Sequence, residues 1–147
     1  KVGLARADAV VLMMPDDLET PDPDLLAVFA GKPVLVARVK PAAAPPSGPQ
    51  MGFAGIGKPW KVERALKAAG CDLKDFAGFP DHAAYDERTL KILAAQAEAH
   101  DAGLVTTEKD WARLPPAWRD RVTAWPVRCV FEDEAALDAL LAPLLKA

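Results

Sequence analysis

Three short stretches of the chain hold residue types that could do chemistry. In "GFPDHAAYDERTL" (78–90) one of only two histidines, His82, directly follows Pro80-Asp81. Histidine is suited to proton transfer near neutral pH, and a neighbouring carboxylate can fix its tautomer. Adjacency in sequence does not bring the Asp81 and His82 side chains together, so a solvated loop histidine is the alternative. "GFAGIGKP" (52–59) satisfies G-x-x-x-x-G-K through Gly52, Gly57 and Lys58, between a strand-like and a helix-like segment. That is the setting of a phosphate-cradling loop. The position that should supply a magnesium-binding hydroxyl is Pro59, which has neither a hydroxyl nor an N–H. A glycine turn forced by close helix–sheet packing is the better reading, with Gly55 and Gly57 offering at most a weak anion site. "VTTEKD" (105–110) sets two hydroxyls, two carboxylates and an ammonium just after an apolar run. Thr106 or Thr107 can cap the next helix, with Asp110 as capping partner of Thr107. Capping does not explain Lys109, which is either a surface ion-pair partner or a functional cation. Asp81, Thr107, Glu108, Lys109 and Asp110 are thus candidates for an interface or substrate site near His82. His100, beside Asp101, reads as a helix-terminus histidine responding to the dipole.

At 147 residues the chain has the length of one ordinary domain with a real core, and 51% hydrophobic with 27% charged residues is a globular composition. A net charge of −3 gives no electrostatic case for nucleic acid. Cys71 and Cys129 match no metal or redox spacing and read as buried free thiols; no metal site is expected. No apolar run approaches the roughly 18 residues of a membrane span. The chain begins at Lys1 with a helix-like tail running into a strand, as a piece of a longer protein would.

Strand-like and helix-like segments alternate. Apolar runs at 7–14 and 33–39 suit buried strands, with a short helix between them that ends at Gly31. The proline-rich stretch 40–50 reads as an extended loop, and 51–57 as a strand ending in a glycine turn. A helix beginning near Pro59 presents Val62, Ala65, Leu66 and Ala69 on one face and stops at Gly70. A weaker strand at 73–79 precedes a helix capped by Asp86, whose buried face is Leu90, Leu93, Ala94 and Ala97. Strands are expected at 103–110, at least in its first part, and at 123–131, where Pro126 implies an edge or a bulge. A last helix carries Leu137, Leu140, Leu141, Leu144 and Leu145. The four tryptophans read as partly buried anchors, and 111–121 as a helix–turn on the sheet edge, with a basic aromatic face against lipid headgroups as the alternative. The pattern predicts an α/β fold, a mostly parallel sheet with helices on both faces in a Rossmann-like three-layer sandwich, with residues 1–147 as a single domain. In such a sheet the chemistry sits in the loops after the strands' carboxyl ends.

Taken in order, "FAGIGKPWKVERALKAAG", "FPDHAAYDERTL" and "LVTTEKDWARLP" resemble the C-terminal half of the tetraacyldisaccharide 4′-kinase (lipid A 4′-kinase) family, and "GLARADAVVL" resembles the lead-in to that half. The resemblance covers essentially the whole chain. It implies part of a kinase that uses ATP and magnesium to phosphorylate the 4′-hydroxyl of an acylated glucosamine disaccharide 1-phosphate, at the cytoplasmic face of the bacterial inner membrane. It implies also that the phosphate loop and magnesium-binding acids lie in an N-terminal kinase domain, so that this portion alone binds neither ATP nor magnesium and is inactive. The implied partners are that domain, the lipid substrate and the inner-membrane surface. His82 matches the histidine of the family's "DH" motif, implicated beside an acidic residue of the N-terminal half in activating the sugar hydroxyl. Many members continue with a second histidine where this chain has Ala83. The family does not fix lysine at the position of Lys58, which makes Gly52–Lys58 a structural turn near the domain interface. A self-contained nucleotide-binding or regulatory α/β domain is the alternative.

Overall fold

The alternation of apolar and amphipathic segments is realised as seven strands and seven helices among the described residues, 2–15 and 18–145 of a computed structural model. In chain order they begin α1 (Val2–Arg6), β1 (Val10–Met14), α2 (Pro23–Val28), β2 (Val34–Pro41) and β3 (Pro49–Ala54). Next come α3 (Pro59–Ala68), β4 (Asp72–Gly78), α4 (Glu87–Ala99) and β5 (Gly103–Thr107). The chain continues with α5 (Glu108–Ala112), α6 (Pro116–Arg119), β6 (Val122–Trp125), β7 (Val127–Phe131) and α7 (Glu134–Leu145). The proline-rich loop is shorter than its composition implies, because Pro41 and Pro49 sit at the ends of β2 and β3, where a missing N–H is tolerated. Pro126 does more than mark an edge. It divides the expected last strand into β6 and β7, which belong to different sheets.

The chain forms two compact units. One comprises residues 1–40 and 128–147, the other residues 41–127. The first holds a three-stranded sheet in the order β1-β2-β7, with β1 and β2 parallel from Val10 opposite Val34 to Met14 opposite Arg38. Met14, Leu35 and Ala37 are buried there. Arg38 donates to the carbonyls of Pro15, Leu18 and Glu19 and to Glu132 Oε1, tying the segment after β1 to the sheet. None of the leucines of α7 is buried among the described residues, and Leu144 and Leu145 are well exposed. Cys129 is exposed rather than buried, while Cys71, in the other unit, is a buried free thiol whose pKa burial and then nearby Asp72 push up.

The second unit is a parallel four-stranded sheet in the order β4-β3-β5-β6, with helices around it. Alternate residues of its strands point to opposite faces. One face packs Leu73, Phe76, Val105 and Trp125 against Val62, Ala65, Leu66 and Cys71, in and just after α3. The other packs Met51, Phe53 and Leu104 against Leu90, Leu93 and Ala97 of α4 and against Leu114 and Trp118. Helix α3 ends in a Schellman motif, with Cys71 N–H donating to Leu66 O (3.0 Å) and Gly70 N–H to Lys67 O (3.0 Å), around Gly70 at φ +83°. Helix α4 ends the same way with Asp101 at φ +50°, a conformation aspartate tolerates better than most side chains. At its start Asp86 accepts the amide of Thr89 (2.7 Å), the cap its position implies. Trp118 and Trp125 are buried anchors, but Trp60 is half exposed on α3.

The strand order locates the region of interest. From β3 the chain crosses to β4 on one side; from β5 it crosses to β6 on the other. The loops leaving the carboxyl ends of β3 and β5 therefore diverge and leave a crevice, the switch point at which open α/β sheets bind ligands.

Candidate functional site

Three loops meet at that crevice: 55–58 after β3, 79–86 after β4, and the β5–α5 junction with α5 itself. They line a solvent-open cleft of about 550 Å³ formed by Gly55, Ile56, Gly57, Asp81, His82, Lys109, Ala112 and Arg113. Of the residues singled out from sequence, Gly55, Gly57, Asp81, His82 and Lys109 share this cleft; Thr107, Glu108 and Asp110 do not line it.

His82 stands at the rim with its side chain 88% exposed and Nε2 3.7 Å from Asp81 Oδ2, so the two side chains do approach. Its backbone is at φ +59°, the left-handed region that costs a non-glycine residue roughly 1–2 kcal/mol. Two hydrogen bonds hold it there: its N–H is shared between Asp81 Oδ1 (3.1 Å) and Gly55 O (3.3 Å). The imidazole is thus presented by the backbone of a tight turn rather than gripped by neighbours.

Beneath the rim lies a group that sequence reading only half identified. Thr107 caps α5, its hydroxyl accepting the Asp110 amide (3.1 Å) and donating to Asp110 Oδ2 (2.7 Å). The capping expectation holds, but the Asp110 side chain has a larger role. It is fully buried, and its Oδ1 accepts from Tyr85 Oη (2.8 Å), from the Gly55 amide (3.1 Å) and from Arg113 Nη2. Arg113 also donates to Gly55 O (2.8 Å). Burial first, then the hydrogen bond to Asp110, raises the pKa of Tyr85 and keeps its phenol protonated. The Tyr85 ring is wedged edge-on between Phe53 (5.3 Å) and Phe79 (5.5 Å). Nothing in the spacing of Gly55, Tyr85, Asp110 and Arg113 announces that they meet. The one legible hint was the hydroxyl–carboxylate pairing of Thr107 with Asp110.

Glu108 is exposed and accepts the Val127 amide at 3.3 Å. Lys109 is exposed, and among the described residues only its carbonyl is engaged, accepting from Arg113 Nε (3.3 Å). His100 is the C-cap of α4. The 52–58 loop does not have the geometry of a phosphate cradle. The Gly55 amide donates to Asp110, and Pro59 opens α3 with no N–H at all. Among the described residues, no three or more His, Cys, Asp or Glu side chains are grouped to hold a metal ion. No helix among them is long and apolar enough to cross a membrane.

Comparison with known proteins bears on this geometry. The family model for tetraacyldisaccharide-1-P 4'-kinase matches residues 1–146. The chain is 70% identical over 141 residues to the tetraacyldisaccharide 4'-kinase of Caulobacter vibrioides strain NA1000 / CB15N, covering 96% of this chain and 42% of that protein. It is 64% identical over 142 residues to the protein of that name from Phenylobacterium zucineum, covering 97% and 43%. The chain therefore spans about two fifths of the length of these relatives. Among solved structures, LpxK from Aquifex aeolicus in complex with ATP superposes with a TM-score of 0.65 at 24% identity, over 95% of this chain and 43% of that one, a likeness of fold.

Proposed function

The chain belongs to the tetraacyldisaccharide-1-P 4'-kinase family, and from that premise we propose that it is the C-terminal portion of a lipid kinase that phosphorylates the 4′-hydroxyl of an acylated glucosamine disaccharide 1-phosphate. The observation that carries the reading is His82, an exposed imidazole beside a carboxylate, on a left-handed turn at the switch-point cleft. A group so placed is open to a substrate hydroxyl and to a second domain. In phosphoryl transfer most of the catalysis is positioning and charge stabilisation, so an orienting base delivered from a separate domain is physically reasonable. His82 would accept or orient the hydroxyl proton, and Asp81 would fix the ring. Lys109 gives the wall of the cleft a cation suited to a phosphorylated substrate.

The residues present do not fit a phosphate loop, so we assign ATP and magnesium to the N-terminal portion that relatives carry. There they would supply the phosphoryl group and neutralise its developing charge. The same misfit argues against a self-contained nucleotide-binding domain. A site on the cytoplasmic face of the inner membrane suits the surface of α3, where exposed Trp60 has Lys61 and Arg64 over its ring at 5.7 and 6.0 Å. Aromatic rings flanked by cations are favoured at lipid headgroups.

The test is His82→Ala in the enzyme that joins this chain to an N-terminal portion such as its relatives carry. kcat should fall by roughly 10²- to 10⁴-fold, the range for loss of a general acid–base group, with KM little changed. A folded variant with near-normal kcat would return His82 to a solvated loop residue.

A further inference from the structure

Among the described residues the His82 ring has only the Asp81 carboxylate beside it, at 3.7 Å, so its placement depends mainly on what holds the turn. We propose that Tyr85, Asp110 and Arg113 are positioning residues, a buried lock that ties the 80–83 turn to the ends of β3 and β5 and so sets where His82 points. The catalytic part of this inference rests on the reading of His82 above; the mechanical part does not.

The lock can be followed atom by atom. Asp110 is fixed from below by Thr107 on its Oδ2, so its Oδ1 is a stationary acceptor. That oxygen collects the Gly55 amide, the Tyr85 hydroxyl and Arg113. Arg113 then donates to the carbonyl of Gly55 (2.8 Å), the same oxygen that receives the His82 amide (3.3 Å). Its other amino group reaches toward Ala83 O at 3.5 Å, on the far side of the histidine. Gly55 is thus held through both its N–H and its C=O, and it holds His82. Tyr85, three residues after His82, anchors the exit of the turn. A side chain at Gly55 is excluded: its Cβ would lie 2.7 Å from Tyr85 Oη and 3.3 Å from Pro80 O.

Two physical arguments assign this network to positioning rather than to stability alone. A pair between a fully buried carboxylate and a guanidinium that is 30% exposed adds little net stability, since desolvation of the carboxylate offsets much of the attraction, yet it is highly directional. Moreover, His82 occupies a backbone conformation that a non-glycine residue keeps only where its surroundings over-determine it. The network converges on the carbonyl that holds that residue.

Tyr85→Phe is the cleanest perturbation, because it keeps the ring between Phe53 and Phe79, removes only the hydroxyl, and does not touch the cleft lining. Arg113→Met is the second, keeping a long side chain while removing every donor. In the joined enzyme each should lower kcat roughly 10-fold with KM nearly constant, since a displacement near 1 Å can cost up to about 10²-fold. In the His82→Ala background the same substitutions should lower kcat no further, because there is no imidazole left to misplace. The ring resonances of His82, identified by their loss in His82→Ala, should shift or broaden in Tyr85→Phe while those of His100 stay put. Unchanged His82 resonances in folded Tyr85→Phe would overturn the lock. Equal kcat losses with and without His82 would overturn its link to catalysis, as would no loss at all. Displaced resonances with a kinetically silent His82→Ala would leave the lock standing and remove only the catalytic reading.

Discussion

Placing a methyl group at Gly55 tests the packing beneath the cleft directly. The added Cβ would meet Tyr85 Oη at 2.7 Å, where ordinary contact begins at 3.4 Å, so something must move by about 0.7 Å. The tyrosine has little freedom to yield, since its ring is wedged against Phe53 and Phe79 and its hydroxyl is bonded to Asp110 at 2.8 Å. Overpacking of this kind costs about 1–3 kcal/mol, and losing a bond to a buried carboxylate costs about 1–3 kcal/mol more. Against this, alanine restricts the unfolded chain and returns about 0.4–1 kcal/mol. Gly55→Ala should therefore destabilise by about 1–6 kcal/mol. Gly57→Ala is the control: two residues away in the same loop, its Cβ would find nothing nearer than Asp81 Oδ2 at 3.8 Å. It should change stability by no more than about 0.5 kcal/mol. The assay is urea unfolding followed by tryptophan fluorescence. All four tryptophans lie within residues 41–127, so the signal reports the unit that contains the site. The midpoint should fall for Gly55→Ala at constant slope. In a Tyr85→Phe background much of the cost should vanish, because the atom that the methyl strikes is gone. Equal midpoints for the two alanine variants, or strictly additive costs in the double variant, would refute the reasoning.

Tyr85 is the sole tyrosine, so ultraviolet absorbance of tyrosinate reports it alone. Its folded pKa is raised above the ordinary 10, so the neutral phenol stabilises the fold below pH 10, and that contribution is lost as pH rises further. Native protein should not ionise Tyr85 before it unfolds, and Tyr85→Phe should flatten the alkaline loss of stability; a normal tyrosinate titration in folded protein would contradict the buried bond. At acid pH the sign reverses for Asp86 and Glu87. Hydrogen bonds from Thr89 and from Trp118 respectively hold their pKa values below the ordinary 3.8 and 4.5. Their contribution is present above those values and is lost as pH falls through the depressed ones. Asp86→Asn and Glu87→Gln should each make the decline in thermal midpoint below pH 4.5 shallower. Thr107→Ala should cost about 1–2 kcal/mol, a lost cap, and Thr107→Ser should restore most of it in the same urea assay.

Much of the architecture was legible because it depends on local patterns. The apolar runs within 7–14, 33–39 and 103–110, the stripe through Val62, Ala65 and Leu66, the cap at Asp86 and the stop at Gly70 each arise from periodicity or end chemistry within a few residues. The candidate His82 and the capping pair Thr107–Asp110 were legible for the same reason. What periodicity cannot carry is pairing between distant segments. It could not show that Pro126 separates two sheets, that α7 buries none of its leucines among the described residues, or that Trp60 faces solvent while Trp118 and Trp125 do not. Above all it could not bring Gly55, Tyr85 and Arg113 to one carboxylate. Asp110 looks like an ordinary helix-start acid until the order β4-β3-β5-β6 sets the ends of β3 and β5 side by side. Composition and spacing specify which local conformations are cheap. Which polar groups are desolvated together, and so must bond one another, is decided only when the sheet closes over them.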